Sequence, residues 1–371
     1  MFPFPHDRAL GLSFVVAVSI IWVLASFIVQ DLEQLGVHPV VVTSVSNSLF
    51  ALYAPVYAIS RLFQAHSYRS GGAPTTVGAM DTPASSFSSG LDSDSDLPSL
   101  AEWKDDWRGA LRVLWENHLF RAAVHVAPLW FLAQLTFNAS LSATSVTSNT
   151  ILSSTSALFT FLFSVIMLSE RFTYFKLGCI VALMLGTAMV TWSDAISGGG
   201  AGNGEETNAS RSVWGDLLCL VSAIIYGAYT VSIRKRIHGD DESVPMTLFF
   251  SFMGLLILLT TVPILLLLAL FGVPLGTMSW SIFGVLILKG CLDNVLSDYL
   301  WARSILLIGP TLATSGLALQ VPIAVISDAL ITRPPWMGDM LTVLLTTMGG
   351  SVILGAFFGL NLSGSEDGDE I

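Results

Sequence analysis

The second half of this chain repeats the first. Trp22, in Val18-Ser19-Ile20-Ile21-Trp22, falls on Tyr226, in Ser222-Ala223-Ile224-Ile225-Tyr226, at an offset of 204 (226 − 22). Ala139, Thr147 and Gly186 fall on Ala302, Pro310 and Gly349 at an offset of 163 (302 − 139). The difference between the offsets, 41 (204 − 163), is the extra length of one polar loop in the first half, residues 64–118. Each match is thin, but the offset stays constant across three consecutive segments. The chain must therefore fold as two copies of one unit.

The unit is a set of apolar segments. Stretches long enough to cross a bilayer, about 20 residues each, are read at roughly 9–30, 38–62, 121–140, 144–168, 173–192, 213–234, 244–271, 278–300, 309–331 and 336–360. The chain is 53% hydrophobic and 12% charged, with a mean hydropathy of +0.70. A soluble domain carries about twice that share of charge. The expected fold class is an all-α membrane protein with ten transmembrane helices in a five-plus-five arrangement. Its divisions are a first repeat at 1–192, a linker at 193–212, a second repeat at 213–360 and an acidic tail at 361–371.

The net charge of −11 comes largely from loops and the tail: Asp92, Asp94 and Asp96, then Glu366, Asp367, Asp369 and Glu370. Such segments are solvated and do not make a nucleic-acid surface. Cys179, Cys219 and Cys291 all fall in apolar segments without CxxC spacing, so neither a zinc site nor a disulfide framework is indicated. The first apolar run lacks a small-residue cleavage site and reads as a helix that is retained.

Lys and Arg set the expected orientation. With the N-terminus in the cytosol, that side collects Arg8, Arg61, Arg69, Lys104, Arg108, Arg112, Arg121, Arg171, Lys176, Arg234, Lys235, Arg236 and Arg303. The other side receives Arg211 and Arg333, and Lys289 lies within a span. Thirteen against two satisfies the positive-inside rule and places both termini in the cytosol. Five spans per repeat is an odd number, so the repeats run in opposite directions across the membrane. Inverted repeats are a build of secondary transporters and predict a site near the bilayer midplane where the halves meet.

The loop at 64–118 is rich in Ser, Gly and Asp and reads as disordered. At its end Trp103, Trp107, Leu111 and Leu114 recur at helical spacing among basic residues, the pattern of an amphipathic helix on the membrane surface or of a surface helix packed on the protein.

Polar groups within the spans need a reason, because a charge at the bilayer centre costs about 2.5–3.5 kcal/mol on insertion scales. The eighth span carries Lys289, Asp293 and Asp298. Lys289 and Asp293 are four residues apart on one helix face and can neutralise each other; Asn294 and Asp298 share the same spacing. These residues are read as binding or coupling groups, set against an internal ion pair with Asp298 solvated near the cytosolic end. Gln134 and Asn138 in the third span and Asn149 in the fourth are further candidates, whereas Ser153 and Ser156 read as packing residues. His125 sits near a membrane edge and reads as interfacial. In the ninth span Gln320 lies beside Pro322, whose missing N–H frees a carbonyl and allows a bend. The repeat-related Trp22 and Tyr226 can stack on a ring-bearing cargo or simply pack.

Several of these segments resemble a known family. Ile151-Leu152-Ser153-Ser154-Thr155-Ser156 with Leu158-Phe159-Thr160, then Arg171-Phe172-Thr173 with Lys176-Leu177, resemble the fourth and fifth helices of the drug/metabolite transporter superfamily. More narrowly, they resemble the F-subfamily of solute carrier family 35 and its fungal vacuolar and thiamine-repressible relatives. Val295-Leu296-Ser297-Asp298-Tyr299-Leu300-Trp301, Pro322-Ile323 and Ser327-Asp328 resemble the matching eighth and ninth helices. Lys289 and Asp293 have no place in that pattern. The resemblance implies a ten-helix, EamA-type carrier that moves a small polar metabolite by alternating access, in an internal membrane such as Golgi or vacuole.

No GxSxG, HExxH, Walker loop or metal-ligand cluster occurs, so neither an enzyme nor a cofactor or metal site is expected. The expected partners are a small-molecule substrate such as a nucleotide sugar or a vitamin, a coupling proton or counter-substrate, membrane lipid, and a second copy of the chain in a homodimer. The rival reading is a receptor or scaffold on the same fold. Lys289 favours an anionic cargo, and Asp293 and Asp298 a cationic one or a coupling proton, so charge leaves the cargo open at this point.

Overall fold

A computed structural model describes residues 5–34, 39–60, 112, 114–141, 143–144, 146–197, 209–237, 245–272, 279–331 and 335–369. The long polar loop with Trp103, Trp107 and Leu111, the sequon residue Asn208, and Arg333 lie outside them. Ten helical segments among the described residues are long and apolar enough to cross a membrane: Asp7–Ala25, Val40–Ser60, His118–Ser140, Ser148–Leu168, Tyr174–Ile196, Val213–Arg236, Met246–Leu270, Trp280–Ile308, Pro310–Ser327 and Met340–Ser363. They are called the first to tenth spans below. Helices satisfy every backbone N–H and C=O internally, which is what a chain crossing hydrocarbon requires.

Four spans are broken, and the sequence supplies the cause in two of them. In the fourth, Ser153, Ser154 and Thr155 bond back to the carbonyls of Thr150, Ile151 and Leu152 at 3.1, 2.6 and 2.6 Å. This competes with the backbone ladder and divides Val146–Ser154 from Ser156–Leu168. In the ninth, a 3-10 turn at Leu317–Leu319 separates Pro310–Gly316 from Gln320–Ile331, just ahead of Pro322. The second span tightens into a 3-10 turn at Leu49–Leu52. The eighth contains a π turn at Cys291–Leu296 between Trp280–Gly290 and Ser297–Ile308.

The eighth span corrects two expectations. It runs past the expected end at 300 to Ile308, so Asp298 is an interior residue and is 1% exposed, not solvated at a helix end. Arg303, expected in a cytosolic loop, lies within the same helix. The apolar Ile305-Leu306-Leu307-Ile308 run continues the helix until Gly309, whose positive φ of 84° ends it.

Helix packing is compatible with the inverted repeat. Exchanging the halves sends spans one to five onto six to ten. The third span packs on the sixth and, correspondingly, the eighth on the first; the fourth packs on the sixth and the ninth on the first; the third packs on the seventh and the eighth on the second. The second and seventh, fourth and ninth, and fifth and tenth pack on each other. Near such an axis, equivalent positions should touch. Gly186 and Gly349 do: a Cβ on Gly186 would lie 2.8 Å from the Gly349 carbonyl oxygen, and one on Gly349 would lie 2.7 Å from that of Gly186. The offset of 204 also carries Phe50 onto Gly254 (254 − 50), and the Gly254 position abuts the Phe50–Ala51 backbone. Small residues let membrane helices approach this closely, and dispersion then holds them.

Polar contacts also gather at the two ends, most of them between the halves. At one end Arg8 Nη2 donates to Asn361 Oδ1 at 2.8 Å, Glu170 pairs with Lys176 at 3.2 Å, and Thr311 Oγ1 donates to Glu170 Oε2 at 2.6 Å. At the other, Ser148 Oγ donates to Asp216 Oδ1 at 2.6 Å, Thr144 donates to the same oxygen, and Ser193 Oγ donates to the Thr342 carbonyl at 2.8 Å.

Candidate functional site

The π turn of the eighth span organises the middle of the molecule. A π turn inserts one residue into the helix, so carbonyls lose their regular partners and side chains are re-aimed. Two carbonyls here accept from hydroxyls instead: Asp293 O from Ser297 Oγ, and Val295 O from Tyr53 OH at 2.5 Å. Tyr53 reaches across from the second span and stacks on Tyr299, with centroids 5.9 Å apart.

Just ahead of the turn, Lys289 Nζ meets Asp293 Oδ2 at 2.6 Å, with side-chain exposures of 11% and 23%. One turn further on lies Asp298, buried, with no hydrogen-bond partner on either carboxylate oxygen. Lys289 and Asp293 are the charged groups in its neighbourhood, and Tyr53, Tyr226 and Tyr229 stand near it. Lys289 is already matched by Asp293 at 2.6 Å. Asp298 is the member without a counter-ion.

Around Asp298 stands a set of aromatic rings. Trp22 Nε1 donates to Ser297 Oγ at 2.7 Å, and its ring lies 6.3 Å from that of Trp301. Trp301 stacks on Tyr226 at 6.3 Å and 28°. Tyr226 and Tyr229 both contact Trp130, at 6.3 and 4.8 Å, and each other at 5.7 Å. Trp130 and Trp301 are fully buried. The hydroxyls of Tyr226 and Tyr229, the indole N–H of Trp301 and Oδ1 of Asn294 share with Asp298 the property of being buried without a partner. Native interiors leave few such groups, and a concentration of them calls for an explanation.

Behind this cluster Asn47 holds three spans together. Its Oδ1 accepts from Trp130 Nε1 at 2.9 Å and from Asn294 Nδ2 at 2.8 Å. One turn away, Thr43 Oγ1 accepts from Asn138 Nδ2 at 2.7 Å. The third-span stripe Trp130, Gln134, Asn138 therefore runs along the second-span stripe Thr43, Asn47.

The structure thus gathers Lys289, Asp293, Asn294, Asp298, Trp22 and Tyr226 in one region. Asn138 is engaged with Thr43, and half-buried Gln134 lies on the same stripe. Asn149 donates to Ser140 Oγ, and its carbonyl accepts from Cys219 Sγ at 3.4 Å, which makes it part of the contact among the third, fourth and sixth spans. Gln320 is half-buried at the start of the last segment of the ninth span. His125 is exposed, with Nδ1 2.7 Å from the Arg121 carbonyl.

Sequence reasoning missed Asn47, Tyr53, Trp130, Tyr229 and Trp301 as site residues. A signal existed in the helical spacing: Tyr229 follows Tyr226 by three, Trp301 follows Asp298 by three, and Asn47 follows Thr43 by four. A groove between the fifth and tenth spans, lined by Tyr174, Phe175, Gly178, Cys179, Val352 and Ala356, shares no residue with this cluster and contains no charged side chain.

Residues 99–192 match the EamA-like transporter family. An uncharacterized vacuolar membrane protein of Saccharomyces cerevisiae is 34% identical over 258 residues, covering 64% of this chain and 60% of its own length. Solute carrier family 35 member F5 of Mus musculus is 32% identical over 205 residues, covering 54% and 37%. A thiamine-repressible mitochondrial transport protein of Saccharomyces cerevisiae is 25% identical over 331 residues, covering 87% and 85%. The match to the vacuolar protein thus spans less than two thirds of that relative. A solved crystal structure shares the fold with a TM-score of 0.54 at 14% identity, over 92% of this chain and 95% of its own.

Proposed function

We propose that this chain, an EamA-type protein of the drug/metabolite transporter superfamily that resembles the F-subfamily of solute carrier family 35, is a secondary carrier of a small polar organic metabolite. It is not an enzyme, since proteins of that kind are transporters. The observation that carries the reading is Asp298, a carboxylate 1% exposed and without a partner. It sits ten residues from the Ile308 end of its helix (308 − 298), about 15 Å at 1.5 Å per residue. That is well inside a hydrocarbon core of about 30 Å. An intramembrane ionisable group so placed is expensive to keep, and transport is the common reason for keeping one.

Both halves furnish the surroundings of Asp298. Trp22, Asn47, Tyr53 and Trp130 come from the first, and Tyr226, Tyr229, Asn294 and Trp301 from the second. Rocking one half against the other about the Gly186–Gly349 contact opens such a site to each side in turn, and a coupling proton or counter-substrate drives the cycle. With Arg303 inside the eighth span, twelve basic residues (13 − 1) against two still support an orientation with both termini in the cytosol. The vacuolar location of one relative supports an internal membrane, vacuole or Golgi.

Counter-flow in proteoliposomes tests the reading. Vesicles holding the purified chain and preloaded with one unlabelled metabolite at a time should take up the labelled form in a saturable burst for a member of the panel. No exchange with any metabolite favours a receptor or scaffold on the same fold.

A further inference from the structure

We infer that the group this protein selects is an organic cation, seated between the Asp298 carboxylate and the faces of Trp301, Tyr226 and Trp130. The inference deepens the carrier reading and rests on taking this same cluster as its site.

Charge decides the sign. Lys289 is the cation of this region, and it is bound to Asp293 at 2.6 Å. An anionic cargo would have to break that pair to gain a positive partner, and would still face Asp298. A cationic cargo breaks nothing and supplies the counter-charge that Asp298 lacks on both oxygens.

The rings decide the type of cation. Trp301, Tyr226, Tyr229 and Trp130 form a continuous series with centroid separations of 6.3, 5.7 and 4.8 Å, and Trp22 extends it beyond Trp301 at 6.3 Å. Aromatic faces attract cations through the ring quadrupole, most strongly where water is excluded, and they suit a weakly hydrated alkylammonium or heteroaromatic cation better than a metal ion. The unpartnered Tyr226 and Tyr229 hydroxyls, Trp301 N–H and Asn294 Oδ1 add hydrogen-bonding capacity for the polar remainder of such a molecule.

The test is equilibrium binding of radiolabelled benzyltrimethylammonium, a cation with no titratable proton, to the purified full-length chain in detergent. Benzyl alcohol and phenylacetate serve as neutral and anionic competitors. The expected result is saturable binding that neither competitor displaces at a hundredfold excess. Asp298→Asn should weaken it at least tenfold while eluting as a single folded species. Absence of saturable binding, displacement by phenylacetate, or wild-type affinity in Asp298→Asn overturns the inference. If Asp298→Asn does not fold, the wild-type discrimination among the three probes decides alone. Cation binding without counter-flow of any metabolite would leave the inference standing and remove the carrier reading. Counter-flow of neutral or anionic metabolites without cation binding would do the reverse.

Discussion

Asn294 of the eighth span donates to Asn47 of the second at 2.8 Å, and the same Asn47 oxygen accepts from the Trp130 indole at 2.9 Å. One side chain therefore fixes the π turn and one wall of the aromatic cluster to the same point. Asn47→Leu keeps the bulk and strands two buried donors. Each stranded donor costs about 1–3 kcal/mol in soluble proteins, and membrane measurements fall near the lower end. The variant should lose about 2 kcal/mol of stability, visible as a lower thermal midpoint in detergent. Equal midpoints for Asn47→Leu and wild type would show that the two bonds hold nothing together.

The reciprocal contact of Gly186 and Gly349 makes a second prediction. An alanine at either position sets a methyl group under 3 Å from a carbonyl oxygen of the facing backbone, which does not yield as a flexible side chain would. Overpacking of this kind costs about 1–3 kcal/mol. Gly186→Ala and Gly349→Ala should each lower the midpoint, and the double variant should be worse than either, because both methyls enter the same gap. A double variant as stable as the wild type would mean that the fifth and tenth spans do not meet this closely.

The Lys289–Asp293 pair separates charge balance from cargo contact. Removing one partner of a fully buried pair costs about 3–5 kcal/mol; with 23% of the Asp293 side chain exposed, about half of that is expected. Lys289→Ala and Asp293→Ala should each reduce uptake per inserted molecule strongly. The double variant should recover insertion, and recovery of full uptake as well would make the pair structural only. Normal uptake in both single variants removes these two residues from the site.

Much of this architecture is readable in the sequence. Ten apolar stretches separated by polar turns leave hydrocarbon-spanning helices as the one solution that satisfies the backbone, and the offset of 163 pairs Gly186 with Gly349, two glycines that abut in the fold. The cluster was only half legible. Lys289 and Asp293 were recoverable because an i,i+4 pair is local. The isolation of Asp298 was not, because it depends on where the eighth span ends and on rings that arrive from four different helices. Hydropathy falls at Asp298 and Arg303, which made the span look finished at 300, while the later run to Ile308 shows that the helix carries those charges inside. The contact between Trp130 and Asn47 is hidden for a similar reason: they are 83 residues apart, and nothing in either segment names the other.

Orientation has its own test. Arg8 bonds to Asn361, so the first residues of the first span and the last of the tenth share one face. With that face cytosolic, the sequon at Asn361-Leu362-Ser363 stays unmodified in glycosylating microsomes, and Asn208-Ala209-Ser210 is the acceptor. A mobility shift abolished by Asn208→Gln is the expected outcome. A shift abolished by Asn361→Gln would invert the whole assignment.

The most direct measurement is counter-flow by wild-type and Asp298→Asn proteins reconstituted side by side at matched density, with the metabolite that gives the largest wild-type signal. Neutralising a carboxylate that has no partner in the fold should leave insertion and thermal midpoint equal to or better than wild type. A carrier built around Asp298 then loses at least tenfold in exchange rate with its stability intact. Exchange at the wild-type rate in Asp298→Asn would contradict the account and return the search to Lys289, Asp293 and Gln320.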